Sequence, residues 1–454
     1  MGNISIDPLF ANAGANDLNL LSGSDCIDSG SNAAIPAGVT TDLAGNPRIS
    51  NVTVDMGALE FQDDDGDRVP DGCDTPTVHN LIQATDHFTI QEAIFFAVNG
   101  DIIEAEPGIY HEAINFSGRA IVIRSASGNP PDTLIDGTGN FHVVQRVSGE
   151  GFGSVLSGFT VTGGNANGAS PDERGCGMYC DGASPIIFDC VFSNNTAQFG
   201  AGLYNINGTS SSIVNCIFEN NAATSVGGAI VNVANYSPTI VQCTFNKDTA
   251  GVDGGGLATS NLEGDATISN SILWGNSDSG GMDESAQIFV GPGAFTPAVS
   301  YSNVMSGWSG IGAGNINIDP LFADADGSDD TFGTTDDNPR LQAGSPCIDA
   351  GDTTAIPAGI FSDLDGNPRA VDDPVKTNTG ITVSIAAVDI GAYEFIPGAR
   401  SLQIVGDLNC DGIVNELDFA LMALHWLKRI KEKYSAFSQK KEKDWSYRLM
   451  VYTM

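Results

Sequence analysis

The sequence predicts an all-β fold, a solenoid of short strands stacked in parallel. Three observations carry this reading. A seven-residue motif recurs at Asp189–Asn195 (DCVFSNN), Asn215–Asn221 (NCIFENN), Gln242–Asp248 (QCTFNKD) and, more loosely, Asn270–Asn276 (NSILWGN). A glycine block recurs between its copies, at Gly200–Leu203, Gly227–Ile230 and Gly254–Leu257. The cysteines fall 26 and 27 residues apart, and the glycine blocks 27 and 27 apart. Finally, the rest of each period holds only short β-branched or alternating runs such as Pro185–Phe188 (PIIF) and Ser212–Val214 (SIV), with no apolar pattern of helical length. A fixed period in the twenties without a helix is a coil of short strands, repeated along an axis.

Stacking places equivalent residues in columns about 4.8 Å apart. Cys190, Cys216 and Cys243 form one inward column, and Phe192, Phe218, Phe245 and Leu273 another. Asn195, Asn221 and Asn276 form an Asn ladder at a turn, with side-chain amides bonding along the axis. This pattern resembles the right-handed parallel β-helix, or pectin-lyase-like, superfamily. Gly227-Gly228-Ala229-Ile230, Phe192-x-x-Asn195 and Phe218-x-x-Asn221 are also similar to the GGAI and FxxN repeats of polymorphic outer membrane proteins.

The chain opens with a stretch that it later repeats. In residues 1–62, Gly2–Phe10 matches Gly314–Phe322, and Cys26–Gly30 matches Cys347–Gly351. Ile35–Gly38 matches Ile356–Gly359, Asp42–Arg48 matches Asp363–Arg369, and Val54–Phe61 matches Val388–Phe395. In proteins that look like this one, such a block closes a β-helix at its C-terminal end. The expectation is that residues 1–62 are the terminal coils of an upstream β-helix, so that the sequence is a fragment of a longer surface protein or has a misplaced start. Met1–Ser5 lacks the basic and apolar regions of a signal peptide, and a lost N-terminus accounts for that.

Residues 63–76 are an acidic linker. Asp63, Asp65, Asp67, Asp71 and Asp74 hold positions 1, 3, 5, 9 and 12 of a twelve-residue loop, with the Val69 carbonyl at position 7. Alternate side chains of a tight loop converge on a hard cation, so this spacing suits Ca2+. The loop resembles a thrombospondin type 3 calcium repeat, though Arg68 stands at position 6, where the sharp turn favours Gly. The other reading is a solvated linker.

Residues 77–313 are expected to form the main β-helix. A helix over about 89–99 opens it: Thr89 and Glu92 make a capping box, Ile90, Ala93, Ile94 and Ala97 share an apolar face, and Gly100 ends it. Such a helix plugs the first coil, whose backbone edge otherwise lies open. The solenoid runs from about Asp101 to Met305, and residues 314–398 close it.

In residues 399–427 a second loop appears. Asp407, Asn409, Asp411, Asn415 and Asp418 hold positions 1, 3, 5, 9 and 12, with the Ile413 carbonyl at position 7 and Gly412 at position 6. An apolar helix face follows, through Leu417, Ala420, Leu421, Leu424 and Leu427. The loop resembles one half of a dockerin module. The resemblance implies that these residues bind Ca2+ and that Glu416 and Leu417 face a cohesin-like partner. No second loop follows; residues 428–454 form a basic, aromatic tail.

The formal net charge is −37, unevenly spread. The tail holds eight Lys/Arg against three Asp/Glu, and the preceding 427 residues hold 11 against 53. Such a body repels nucleic acid and anionic membranes. It suits metal cations and a salty exterior, or serves solubility alone. No run of 18 apolar residues exists to span a membrane. The nine cysteines show no paired CxxC spacing; Cys176 and Cys180 can pair in an oxidising compartment or remain reduced.

Folds of this kind carry polysaccharide lyases and hydrolases on an outer strand face, and also many non-enzymes. A lyase needs a base and an electrostatic clamp, but Arg119, Arg124, Arg146, Arg174 and Lys247 are the basic residues between Thr77 and Ala313. A hydrolase needs a carboxylate pair. Asp181, Asp189, Asp253 and Asp283–Glu284 are available, but none repeats a glycosidase motif. The expectation is a calcium-stabilised, secreted or surface-displayed scaffold for adhesion or glycan binding, with no catalytic residue assigned. Its partner is a polysaccharide or a surface protein. A polysaccharide lyase or glycoside hydrolase attached through the dockerin-like module is the alternative.

Overall fold

In a computed structural model of the chain, the structure describes residues 77–397, apart from 140–141, 169, 171, 208–209, 234–237, 261–265, 328–330, 333–336 and 383–385, together with scattered residues between 10 and 57. It shows an all-β, right-handed parallel β-helix of about seven turns. One coil reads Ile186–Phe188, Val191–Ser193, Thr196–Phe199 and Leu203–Ile206. Stacked coils give sheets of ten, eight, four and seven strands respectively. The first parallel strand of the ten-stranded sheet is Ile102–Ala105, and the last strand of the eight-stranded sheet is Asn303–Val304.

The predicted columns are present. Phe192 pairs with Phe218, Phe218 with Phe245, and Phe245 with Leu273, all four buried. The phenyl rings stack with centroids 4.9 and 5.1 Å apart, the spacing of the strands themselves. Cys190, Cys216 and Cys243 are buried free thiols in the same core. Each donates weakly to a carbonyl two residues back, as Cys216 Sγ does to Val214 O at 3.2 Å. Cys176 and Cys180 are free as well; Cys180 joins the main core and Cys176 a separate alanine-rich cluster under the four-stranded sheet.

Two further columns explain why Asp and Asn recur beside the Cys-x-Phe motif. Asp189, Asn215, Gln242 and Asn270 have φ of +53°, +53°, +55° and +51°, and Asn194, Asn220 and Lys247 have +55°, +52° and +59°. They are the corners on either side of each strand of the eight-stranded sheet. Short polar side chains tolerate this left-handed conformation better than apolar ones.

The N-terminal end is closed as expected. Helix α1, Ile90–Phe96, buries Ile90, Ala93 and Ile94 on the first coil. Thr89 caps it by accepting from the Glu92 N–H at 3.0 Å, while Glu92 accepts from the Phe88 N–H.

After Asn303–Val304 the chain leaves the ladders through one bridge, Asn303 to Ile316. The described residues between 316 and 395 then lie along the outer face of the eight-stranded sheet. Leu341, Ile348 and Ile390 pack on Ile272 and Trp274, and Leu364, Ala392 and Tyr393 on Val191 and Ile217. Polar groups follow the corner columns: Asn270 exchanges two hydrogen bonds with the backbone of Asp352, Asn215 donates to Ser362 O, and Gln242 to Asp389 O. The described residues of the closing block therefore cover one side of the solenoid. The physical reason is the outward row Val191, Ile217, Ile272, which is too apolar to face water.

The described parts of the first copy repeat the local hydrogen bonds of this block. Gly30 N donates to Val54 O as Gly351 N does to Val388 O. Met56 N donates to Cys26 O as Ile390 N does to Cys347 O, and Arg48 donates to Gly57 O as Arg369 does to Gly391 O.

Candidate functional site

The side chains of the eight-stranded sheet that point outward form two rows. Leu134, Thr160, Val191, Ile217, Thr244 and Ile272 lie in one, by direct register. Ser193, Glu219, Asn246 and Trp274 lie in the other, with Thr162 preceding them. The closing block covers both rows at the later coils and stops at Tyr393. Where it stops, a cleft of about 320 Å³ opens between the sheet and the block. Pro131, Leu134, Val191, Ile217 and Pro339 make its apolar wall. Thr160, Thr162, Ser193, Glu219, Asp337 and Tyr393 supply its polar groups. Among the described residues, no lysine, arginine or histidine lines it.

Glu219 is the decisive residue. It is only 5 % exposed, and its Oε2 has no hydrogen-bond partner. Burial, reinforced by the negative charges of Asp337 and Asp248, pushes its carboxyl up to about 8. It therefore holds its proton at neutral pH. The positive charges nearby are engaged elsewhere: Arg340 pairs with Asp365 at 2.5 Å and lies 4.4 Å over the Tyr393 ring, and Lys247 lies 5.2 Å over the Phe332 ring. Asn220 donates to Phe332 O, which fastens the block one residue beyond Glu219. Burial also pushes the Tyr393 hydroxyl up, out of its usual range.

A second polar cluster lies under the block, built from the residues that the chain repeats. Asp389 accepts from the Asp349 and Phe395 N–H groups, Glu394 from Val371 and Asp389, and Asp363 from Asn367 and Glu394. Arg369 sits 3.6 Å from Glu394, both buried. Burial pushes the Asp389 and Glu394 carboxyls upward, and Arg369 opposes this at Glu394. Every one of these carboxyls is tied to backbone N–H groups, so the cluster folds the block and leaves no open face.

The Asn ladder is real and contains an acid. Asn195 donates to Asn221 Oδ1 at 3.1 Å, Asn221 to Asp248 Oδ1 at 2.9 Å, and Asn276 to Gln287 Oε1 at 3.0 Å. Asp248, fully buried, bridges the series by donating its N–H to Asn276 Oδ1. Burial pushes its carboxyl well above the ordinary range.

The other residues singled out in the sequence are dispersed. Asp181 accepts from Asn207, Asp189 from Asn215, and Asp283 caps the short helix Glu284–Gln287. Glu284 accepts from the Ser309 N–H, and Asp253 pairs with Val226 through a backbone bridge. Arg119 binds the carbonyls of Phe95 and Ala97, Arg124 pairs with Glu104, Arg146 is buried over Phe116, and Arg174 contacts Glu173. These groups do not converge on one site. Both calcium loops, Asp63–Asp74 and Asp407–Asp418, lie outside the described residues. Glu219, Asp337 and Tyr393 were not legible as a site. The signal present was Glu219 alone, a long acid in a column otherwise filled by Ser193, Asn246 and Trp274.

A scan against models of protein families and a search of curated proteins each found no match.

Proposed function

We propose that the protein is a secreted or cell-surface β-helix scaffold, stabilised by Ca2+, that serves adhesion or glycan binding. The observation that carries this is the cleft at the edge of the closing block. It joins an apolar wall, hydroxyls and one aromatic ring, the mixture that suits a sugar ring, and none of its described lining residues is a Lys, Arg or His that could act as a lyase base or clamp. The calcium part rests on the oxygen spacing of the loops at Asp63–Asp74 and Asp407–Asp418. The dockerin-like loop supports docking to a cohesin-like module, and the acidic body supports an extracellular or cell-surface place, away from nucleic acid. Among the described residues no helix is long and apolar enough to cross a membrane.

One observation favours the alternative. Glu219 keeps its proton at neutral pH beside a second carboxylate, Asp337, and such a pair is what a glycoside hydrolase uses as acid and base. Incubating the calcium-loaded protein with a panel of neutral and charged polysaccharides decides between them. Retention of a glycan without new reducing ends supports the scaffold. New reducing ends that vanish in Glu219→Gln establish the hydrolase.

A further inference from the structure

The glycan-binding reading leaves the character of the glycan open, and the cleft restricts it. Among the described residues, those that line the cleft include two carboxyl groups, Glu219 and Asp337, and no cation. Burying an acid without a partner is costly, and proteins leave one so mainly where something else supplies the missing charge or donor. Glu219 is more than nine-tenths buried, lines the cleft, and has an oxygen without a partner.

What kind of cation fits? A hard divalent ion takes six to eight oxygens. Half of the cleft wall is carbon: Pro131, Leu134, Val191, Ile217 and Pro339. Among the described residues, no group of three His, Cys, Asp or Glu side chains stands ready for a metal. An ammonium on a carbon framework matches both halves. It brings up to three N–H donors to the carboxylates, and its framework lies on the apolar wall. Thr162 and Ser193, in the same outward row as Glu219, add hydroxyls on the same side. The volume is at the lower end for a ligand site and has room for a single ring.

We infer that this cleft binds the primary ammonium group of a de-N-acetylated amino sugar within a glycan, held by Glu219 and Asp337 with its ring against Tyr393 and the apolar wall. The inference rests on the glycan-binding reading. The net charge of −37 acts in the same direction at long range, since an acidic body draws a cationic polymer and repels an anionic one. Binding sets the ionisation of Glu219: the arriving ammonium stabilises the carboxylate, and the carboxylic proton passes to solvent. Asp337 and Asp248 oppose that ionisation, and Arg340, paired with Asp365, does not reach across to neutralise it.

The test is titration calorimetry of the full-length protein at pH 7 in phosphate and in MOPS. The probes are a glucosamine trimer, its fully N-acetylated counterpart, n-butylammonium, a lysyl tripeptide and CaCl2. The amino-sugar trimer is expected to bind at least tenfold more tightly than the acetylated one. The heat is expected to differ between buffers by the release of more than half a proton per ligand. Glu219→Gln, verified as folded by circular dichroism, is expected to lose at least tenfold in affinity and the proton release together. Asp337→Asn, which leaves Glu219 in place, is expected to lose severalfold. Equal binding of the two trimers, or unchanged binding by folded Glu219→Gln, overturns the inference while leaving the scaffold reading intact. So does a Glu219-dependent heat with CaCl2 but not with the amines, or a lysyl peptide that outcompetes the trimer, which assigns the cleft to a protein partner. Failure of both trimers overturns the inference and removes the cleft as support for glycan binding.

Discussion

Glu219→Gln tests the burial of this acid directly, without any ligand. The folded protein holds the Glu219 proton up to about pH 8, because the side chain is buried beside Asp337 and Asp248. The unfolded chain releases it near the ordinary glutamate value of about 4.3. Between those values the native state binds more protons than the unfolded state, so stability falls as pH rises. The contribution is fully present below about pH 4 and is lost progressively towards about pH 8. Each unit inside that window costs about 1.4 kcal/mol, so the wild type gives up about 3 to 4 kcal/mol by pH 7. Glutamine has nearly the same shape and does not titrate. Urea unfolding of both proteins at pH 4 and pH 7 measures the difference, read from midpoints at unchanged slope. The variant is expected to be more stable at pH 7 by about 3 kcal/mol and equal to the wild type near pH 4. A variant that is no more stable than the wild type at pH 7, or that exceeds it by the same amount at pH 4, refutes the picture of an unpaired acid buried at the edge of the closing block.

Two further outcomes follow from the same structure, and a third from the loop spacing in the sequence. Cys216→Ser places a hydroxyl in the apolar core and is expected to destabilise by about 1–3 kcal/mol; rapid labelling of native Cys216 by a thiol reagent contradicts its inward position. Gly228→Ala puts a methyl 2.3 Å from Gly255 O and 2.5 Å from Thr249 O, both rigid backbone, and thermal melting is expected to show a loss of more than about 2 kcal/mol. Removing Ca2+ with a chelator is expected to lower the melting temperature, since a ligand at a hundredfold excess over its Kd stabilises by about 2.7 kcal/mol; Asp411→Ala is expected to cancel the C-terminal share while the β-helix stays folded, and no melting shift on calcium addition counts against both loops.

The sequence alone determined the parallel β-helix, because a solenoid writes its tertiary contacts as a local period. The neighbour of Phe218 in space is Phe192 or Phe245, one coil away, so the columns of Cys190, Phe192 and Asn195 could be read directly. The capping helix was legible for a related reason: Thr89, Glu92 and the apolar face of Ile90, Ala93 and Ile94 are all local signals. Repetition also marked Asp363, Arg369, Asp389 and Glu394 as a unit, although not as a buried network. Asp248 was missed in the ladder because an acid in an amide column looks like an exception, whereas its register with Asn221 and Asn276 fixes it there. What only the tertiary structure decided is the path of residues 316–395. Nothing periodic connects Asp337 or Tyr393 to Glu219; they meet because the outward row Val191, Ile217, Ile272 buries apolar area only when a distant segment lies back upon it. That contact turns Glu219 from one solvent-facing acid among 56 Asp and Glu residues into a buried, protonated group at the edge of a cleft.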